Sequence, residues 1–443
     1  MQPTKIDLLI NCEWIIPIVP KDRVWQNCAL AIDAEKIIGI FPQAEAAKRF
    51  SAHKVHNLDN HVLMPGLVNA HGHAAMTLLR GYADDLPLRP WLEDHIWPAE
   101  TLHLSEEFVR DGTKIAMAEM IASGTTCFAD MYFFHEAIAE EVRSVGMRSQ
   151  IGFTVLDFPT PYGKDANDYI HKGLALYDKY SGQSLINVAC APHAPYSVSD
   201  PAMQIISTYA NELDMPVHIH CHETAEEITE SLANYDCRPL ERLRNLGLLL
   251  PQTQLVHMTQ TVASDITLLQ DHNCHVVHCP ESNMKLASGF CPVGELLDAG
   301  INVALGTDGA ASNNDLDLFG ELRTAALLTK AVTGDAATLD THAALRMATI
   351  NGAKALGWDD QIGSLEAGKS ADIIAVEINS IAQQPLYNPA SQLVYTNSGS
   401  QVSHSWVAGK PLLENRALCT LNESELIQSA SDWRNKIQPK SMD

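Results

Sequence analysis

Short apolar runs, rich in β-branched residues, recur along the chain from residue 66 onward, and segments with helical spacing of apolar residues lie between them. Apolar runs bounded by polar turns are typical of buried strands, whereas apolar residues at every third or fourth position favour helices. Segments 106–121, 203–213 and 316–329 show this helical spacing. The predicted strands are 67–70, 126–131, 149–155, 187–191, 217–221, 254–258, 275–279 and 302–306.

Alternation of strands and helices over about 250 residues predicts an α/β fold of the (β/α)8 TIM-barrel type. A doubly wound sheet is the competing fold, but it normally has fewer strands and a glycine-rich phosphate turn near its start. The two ends of the chain differ from this pattern, because residues 6–60 and 371–414 consist mainly of short apolar runs between polar turns. We therefore predict a barrel in the middle of the chain and β-rich segments at its ends.

Composition limits the compartment and the partners. The chain has 443 residues, 46% of them hydrophobic, with a formal net charge of −24 and no Lys/Arg-rich run, which argues against binding to nucleic acid or to anionic membranes. The N-terminus has no basic segment followed by an apolar one, and no stretch is long and apolar enough to span a bilayer. The ten cysteines form no regular framework. We expect a cytoplasmic protein with reduced cysteines.

Polar side chains that can bind metal or move protons follow the predicted strands. Along an extended chain His71 and His73 point to the same side, and two imidazoles on one side make half of a divalent metal site. A barrel brings the carboxyl ends of its strands together at one face, where its chemistry takes place. One buried histidine is usually a hydrogen-bonded core residue, but a group at one face is harder to explain in that way. The group comprises His71 and His73 after strand one, His193 after strand four, His220 and Glu223 at strand five, His257 at strand six, His278 at strand seven and Asp308 after strand eight.

Three motifs occur in this order: PGLVNAHGH at 65–73, HIHCHET at 218–224 and LGTDGAASNN at 305–314. Together they resemble the amidohydrolase superfamily, and more narrowly its 5'-methylthioadenosine/S-adenosylhomocysteine deaminases and the related triazine hydrolases. The resemblance extends from about residue 6 to residue 415. It implies a barrel of the metal-dependent hydrolase type beside a small β-sandwich built from both chain ends. The expected domains are 1–62 and 366–425 for the sandwich, 63–365 for the barrel and 426–443 for a C-terminal tail.

The resemblance also implies a metal cofactor. Relatives with two metals carry a carboxylated lysine at the end of strand four, and segment 187–193 contains no lysine, so we expect one metal per subunit. Zinc is the expected ion, with Fe²⁺ or Mn²⁺ as alternatives, because zinc held by histidines and a carboxylate lowers the pKa of bound water. The implied ligands are His71, His73, His220 and Asp308.

Three residues are implied to carry the catalysis. Glu223 is expected to move a proton between water and a ring nitrogen of the substrate, as a general acid and base. Asp308 is expected to accept a proton in addition to binding the metal, and His257 to polarise the attacking water or the tetrahedral centre. For Glu223 the alternative is a carboxylate that satisfies free N–H groups in the first turn of a helix. The residues expected to be structural, or at most to orient ligands, are His218, His222 and His278.

The implied reaction is hydrolytic deamination of an adenine nucleoside, with 5'-methylthioadenosine giving 5'-methylthioinosine and ammonia. The long segment 74–104 must cover the barrel mouth, where the indole of Trp91 can pack on a purine and the carboxylate of Glu100 can accept ribose hydroxyls. Relatives contact the nucleoside at positions matching Trp91, Glu100 and His193. Those that act well on S-adenosylhomocysteine have an Arg where this chain has Phe153, so we expect a preference for 5'-methylthioadenosine, with S-adenosylhomocysteine and adenosine as possible substrates.

Other interpretations remain open. The same site could act on another aminated or halogenated heteroaromatic ring, such as a triazine, guanine or cytosine. A metal-free binding scaffold is a second alternative, although such proteins typically lack the ligand residues found here. GSLEAGKS at 363–370 matches a phosphate-binding loop, but it follows a predicted helix and precedes a strand, which is the reverse of the required order. The expected assembly is a homo-oligomer, either a dimer or a tetramer.

Overall fold

Strands and helices alternate along most of this computed structural model, which describes residues 2–438. The strands are β1 (Thr4–Ile15), β2 (Trp25–Asp33), β3 (Lys36–Pro42), β4 (Phe50–Pro65), β5 (Leu67–Asn69), β6 (Thr125–Tyr132), β7 (Arg148–Val155), β8 (Ile186–Pro192), β9 (Val217–Cys221), β10 (Thr253–His257), β11 (His275–His278), β12 (Asn302–Leu305), β13 (Ile373–Glu377), β14 (Val402–Val407), β15 (Lys410–Glu414) and β16 (Ala417–Leu418). The helices are α1 (Gln43–Arg49), α2 (Leu88–Pro90), α3 (Trp97–His103), α4 (Glu106–Ala122), α5 (His135–Val145), α6 (Ala166–Tyr180), α7 (Asp200–Leu213), α8 (Ala225–Tyr235), α9 (Pro239–Asn245), α10 (Ala263–His272), α11 (Pro280–Lys285), α12 (Val293–Asp298), α13 (Ala310–Asn313), α14 (Leu318–Thr333), α15 (Thr341–Met347), α16 (Ile350–Ala355), α17 (Pro389–Tyr395) and α18 (Glu423–Ile437).

The middle of the chain forms the predicted barrel. Strands β5 to β12 lie in sequence order in one eight-stranded sheet, and the pairs from β7 to β12 are parallel. Two backbone hydrogen bonds join the first strand end to the last, from Ala70 N to Leu305 O (2.8 Å) and from Asp308 N to His71 O (3.1 Å). Each strand predicted from the sequence differs from the observed one by at most one residue at either end. The barrel prediction is confirmed.

Both chain ends contribute to a separate mixed sheet, as expected. Its order is β16-β15-β14-β13-β4-β1-β2-β3, in which β1 and β4 are parallel and the other neighbours are antiparallel. Alternation along β1 sends Leu8 and Ile10 into a core that contains Trp406, whereas Leu9 packs on the opposite side with Phe50. The period-two pattern at the N-terminus therefore reflects a sheet with two buried faces.

The described residues divide into two compact units, one of residues 2–69, Glu119–Cys127 and Asp317–Thr420, and one of Ala70–Ala118, Phe128–Leu316 and residues 421–438. The domain boundaries derived from the sequence stay a prediction. The expected C-terminal tail, 426–443, lies mostly in helix α18, and residues 439–443 are outside the described residues. In this helix Trp433 Nε1 donates a hydrogen bond to Asp111 Oδ2 at 2.9 Å.

The loop-like motif at 363–370 precedes β13 and opens no helix. Its Lys369 is buried, and Nζ donates to Asp359 O and to Ser364 Oγ, both at 2.6 Å. The lysine is therefore held by the protein itself, in agreement with our rejection of a phosphate-binding loop. No helix among residues 2–438 combines the length and the apolar character needed to cross a bilayer.

The segment after β5 forms a helical lid over residues 74–104. It begins with a 3₁₀ turn, Ala74–Leu79, and continues as α2, a π-helical turn at Trp91–Ile96, and α3. A π-helical turn is rare and is often found at functional sites. Trp91 begins this turn, and Glu100 lies in α3.

Candidate active site

The four predicted ligands converge on one point. The ligand atoms of His71, His73, His220 and Asp308 all lie within 4.8 Å of one another. Asp308 Oδ1 is 3.4 Å from His71 Nε2 and 3.2 Å from His73 Nε2, and the Nε2 atoms of His71 and His220 are 3.2 Å apart. Three imidazole nitrogens and one carboxylate oxygen form a donor set that suits zinc. The side chains present therefore fit the implied metal.

The Nδ1 atoms of the ligand histidines, which point away from the common point, show which tautomer each ring adopts. His73 Nδ1 lies 2.6 Å from Met131 O, and His220 Nδ1 lies 2.7 Å from His193 O. A carbonyl oxygen can only accept, so Nδ1 of each ring carries the proton and Nε2 presents its lone pair to the common point. This is the arrangement found around metal-binding histidines.

His71 is oriented by a chain of side chains in the barrel interior. Its Nδ1 is 2.7 Å from His218 Nε2, and His218 Nδ1 is 2.5 Å from Gln254 Oε1. Gln150 Nε2 also donates to Gln254 Oε1, at 2.9 Å. Because the amide oxygen accepts from His218 Nδ1, His218 Nε2 must accept from His71 Nδ1, so the lone pair of His71 lies on Nε2, beside Asp308 and His220. His218 thus orients a ligand, while Gln150 and Gln254 carried no signal in the sequence.

Electrostatics favour an ionised Asp308. Burial opposes the charge, but hydrogen bonds with His71 and His73 hold the pKa of Asp308 well below its usual range. Its Oδ2 accepts from Ser282 Oγ (2.6 Å) and from Ser312 Oγ (2.9 Å), which leaves Oδ1 beside the histidines. For His73, burial is outweighed by the hydrogen bond to Asp308, which raises the pKa to about 9. A bound cation would take the place of that proton.

Glu223 lies in the turn between β9 and α8, and its carboxylate lines a cavity. Its alternative role, satisfying free N–H groups at the helix start, is filled by other residues: Thr224 accepts from Glu227 N, and the Glu227 carboxylate accepts from the backbone N–H groups of His222 (3.0 Å) and Glu223 (2.7 Å). The Glu223 carboxylate, which accepts a long hydrogen bond from Ser288 Oγ (3.5 Å), is therefore not used to cap the helix and can take part in chemistry. Burial raises its pKa, as a general acid requires.

His257 lies beside Glu223. Its Nε2 is 3.7 Å from Glu223 Oε2, and its Nδ1 is 2.8 Å from Asn283 Oδ1. The backbone is left-handed at His257 (φ 77°), Asp308 (φ 61°) and His222 (φ 54°). Each such residue costs about 1–3 kcal/mol, and strain of this kind is concentrated at functional sites. The predicted placement of His257 beside the ligands agrees with this geometry.

The cavity measures about 290 Å³ and unites the catalytic residues with the lid. Trp91 and Glu100 line it, as does His193, whose Nδ1 is 2.9 Å from Ser197 Oγ. Burial raises the pKa of Glu100 to about 7, although a hydrogen bond from Tyr132 opposes this. No Lys or Arg is found among the described residues that line the cavity. Tyr132 was not named as a site residue from the sequence, although it directly follows the predicted strand 126–131 and the stretch 130–132 resembles the same subgroup of relatives.

The expectation that Phe153 contacts substrate is wrong. Phe153 is buried outside the cavity, and a Cβ added to Gly173 of α6 would lie 2.2 Å from its Cγ. The next residue, Thr154, lines the cavity. Because side chains alternate along β7, Phe153 faces the helix layer rather than the barrel mouth.

Gly306 follows β12 and touches a ligand residue. A Cβ at this position would lie 2.8 Å from His71 Cβ and 2.9 Å from His71 N and O. We expect Gly306→Ala to displace His71 and to weaken zinc binding about 10–100-fold, the usual effect of disturbing support around a ligand. The dissociation constant would be measured by competition with a chromophoric chelator. Gly173→Ala is the control, because it crowds Phe153 and should lower only the melting temperature. Equal zinc affinity in Gly306→Ala and the wild type would contradict the prediction.

Both the sequence and the fold of this chain match those of known proteins. Residues 62–412 match the model of the amidohydrolase family. A protein of Teredinibacter turnerae named 5-methylthioadenosine/S-adenosylhomocysteine deaminase is 54% identical over 437 residues, which cover 99% of each chain. The crystal structure of an adenosine deaminase from Xanthomonas campestris with bound zinc is 46% identical, with a TM-score of 0.97 over 98% of this chain and 99% of that one. Atrazine chlorohydrolase from Arthrobacter aurescens, complexed with zinc, shares the fold at 22% identity, with a TM-score of 0.89 over 96% of this chain and 99% of that one.

Proposed function

Because the chain belongs to the amidohydrolase family, a family of hydrolases, we propose that it is a zinc-dependent deaminase of adenine nucleosides. It would replace the 6-amino group of the purine by an oxo group and release ammonia. The observation that carries the proposal is the position of Glu223. Its carboxylate lines the same cavity as three of the four ligand residues and as Glu100 of the lid.

The chain's own residues account for each proton that moves in this reaction. A divalent cation held by the four ligands would supply the Lewis acid that activates water. Glu223 takes one proton from the attacking water and delivers it to a ring nitrogen of the purine, where it remains in the product. Asp308 accepts the second proton and passes it to the leaving amine. His257, whose Nδ1 donates to Asn283 Oδ1, orients and polarises the attacking water through Nε2.

Glu100 favours a nucleoside over a free ring. It is an acceptor that is only 7% exposed, and it lines the cavity on the lid side. A buried carboxylate without a donor from the ligand is unfavourable, whereas ribose offers two hydroxyl donors. A triazine or a free base offers no such donors, so these rings are the second choice. The expected cofactor is one zinc per chain, with Fe²⁺ or Mn²⁺ as alternatives.

The 5'-substituent is proposed to be apolar. The cavity wall includes Leu156, Phe158, Pro159 and Pro161, and its described residues include no cation that could pair with an amino-acid carboxylate. Leaving a carboxylate without a partner in such surroundings is costly. The apolar wall therefore supports a preference for 5'-methylthioadenosine, although Phe153 takes no part in it.

We expect kcat/KM for 5'-methylthioadenosine to exceed that for S-adenosylhomocysteine at least about tenfold, equivalent to about 1.4 kcal/mol. The measurement follows conversion of the adenine ultraviolet spectrum to the hypoxanthine spectrum in zinc-loaded protein, with adenosine as a third substrate. A higher kcat/KM for S-adenosylhomocysteine would refute the preference. No spectral change with any of the three would refute adenine nucleoside deamination and favour another heteroaromatic ring.

A further inference from the structure

We infer that Tyr132 is a positioning residue that fixes Glu100 for the ribose hydroxyls and thereby makes the site selective for ribonucleosides. The inference rests on the proposed function, because it assigns a further residue to the same substrate. Tyr132 is the last residue of β6, whereas Glu100 belongs to α3 in the lid. The contact between these two side chains therefore connects the lid to a barrel strand.

The contact is short, buried and inside the cavity. The hydroxyl of Tyr132 donates to Glu100 Oε1 at 2.6 Å. Tyr132 is 2% exposed and Glu100 is 7% exposed, and both line the cavity. Among residues 2–438, Tyr132 is the residue whose side chain donates a hydrogen bond to the Glu100 carboxylate. One carboxylate oxygen is thus held by the protein, and the other remains for hydroxyl groups of a ligand.

Tyr132 is itself held firmly. All eight residues of β6 are buried, and the backbone oxygen of Tyr132 accepts from Thr154 Oγ1 at 3.0 Å. Its ring lies 5.3 Å from that of Phe133. The phenol of Tyr132, placed on a barrel strand, can therefore fix the side-chain rotamer of Glu100. Without this contact, the entropy cost of ordering the Glu100 side chain would fall on substrate binding.

Selectivity follows from this arrangement. A site built to accept hydrogen bonds from substrate hydroxyls rejects analogues without them, because its buried acceptor is then left unpaired. Removing the Tyr132 hydroxyl frees Glu100 to rotate, so the loss should fall on substrates that have the ribose diol. If Tyr132 only packs against its neighbours, all substrates should change equally.

The test compares Tyr132→Phe with wild type on adenosine and on 2',3'-dideoxyadenosine in zinc-loaded protein. We expect KM for adenosine to rise about tenfold, because the variant loses one hydrogen bond to a charged group. The kcat should change less than about twofold. For the dideoxy substrate, KM should change less than about twofold. The matched control is Tyr162→Phe, because Tyr162 also donates to a glutamate, Glu136, at 3.1 Å, but does not line the cavity.

A double-mutant cycle with Glu100→Gln completes the test. If Tyr132 acts through Glu100, the double variant should have no higher KM for adenosine than Glu100→Gln alone. Equal KM changes for adenosine and the dideoxy substrate, an unchanged KM for adenosine, or additive effects in the double variant would each overturn the inference. Failure of the proposed function is distinguishable, because wild-type protein would then deaminate neither substrate, and the inference would fall with it.

Discussion

Glu223→Gln is expected to lower kcat for 5'-methylthioadenosine by about 10³-fold, within the range of general acid/base catalysis. Glutamine keeps the size of the side chain but cannot exchange a proton between water and the purine ring. Zinc content should be unchanged, because Glu223 is not among the four converging ligands. The measurement combines steady-state rates from the ultraviolet spectrum with zinc determined by atomic emission. KM should change little if Glu223 acts mainly in the transition state.

The neighbouring Glu226 provides the matched control. It is exposed, and its carboxylate lies 3.1 Å from Arg89 Nε, outside the four-ligand cluster. Glu226→Gln should keep wild-type kcat, since an exposed ion pair contributes little. Retention of more than about a hundredth of wild-type kcat by Glu223→Gln would contradict the assignment of Glu223 as the acid/base, because the lowest expected effect is about 10²-fold.

His220→Ala is expected to abolish both zinc binding and turnover. It removes one of three imidazole ligands from a donor set of four, and the remaining side chains cannot close the coordination shell. Purified wild-type protein should contain about one zinc per chain, and the variant close to none. In the wild type, a strong chelator should remove activity, and added zinc should restore it.

The control for this variant is His272→Ala. His272 is partly exposed, and its Nδ1 is 3.0 Å from Leu249 O, so it has a hydrogen bond but no place among the ligands. It should retain zinc and activity. Full activity of His220→Ala, or of chelator-treated protein verified to lack metal, would exclude the metal-dependent mechanism and revive the alternative of metal-free chemistry on this barrel.

The sequence by itself determined the barrel and the residues at its mouth. Strands in a barrel are buried on both sides, so they stand out as continuous apolar runs, and residues 217–221 were predicted with the observed bounds. Since the carboxyl ends of parallel strands share one face, His71, His220 and Asp308 could be grouped although they are far apart in the chain. Their roles came from the family resemblance, and the structure brings their ligand atoms together.

Only the tertiary structure decided the orientation of individual side chains. Phe153 and Thr154 are neighbours on β7, and which of them enters the cavity depends on the phase of the strand in the closed barrel. Apolar residues that face helices and apolar residues that face a cavity give the same local pattern.

The supporting contacts were also beyond the sequence, because they join residues that the barrel brings together. His218 contacts His71 across 147 positions, Gln254 contacts His218 across 36, and Tyr132 contacts Glu100 across 32. No local spacing specifies such pairs. Glu227 likewise takes over the helix-start role that the sequence left open for Glu223. Local pattern fixes strands, helices and their ends, whereas chain closure and side-chain packing select the hydrogen-bond partners that make the residues at those ends a site.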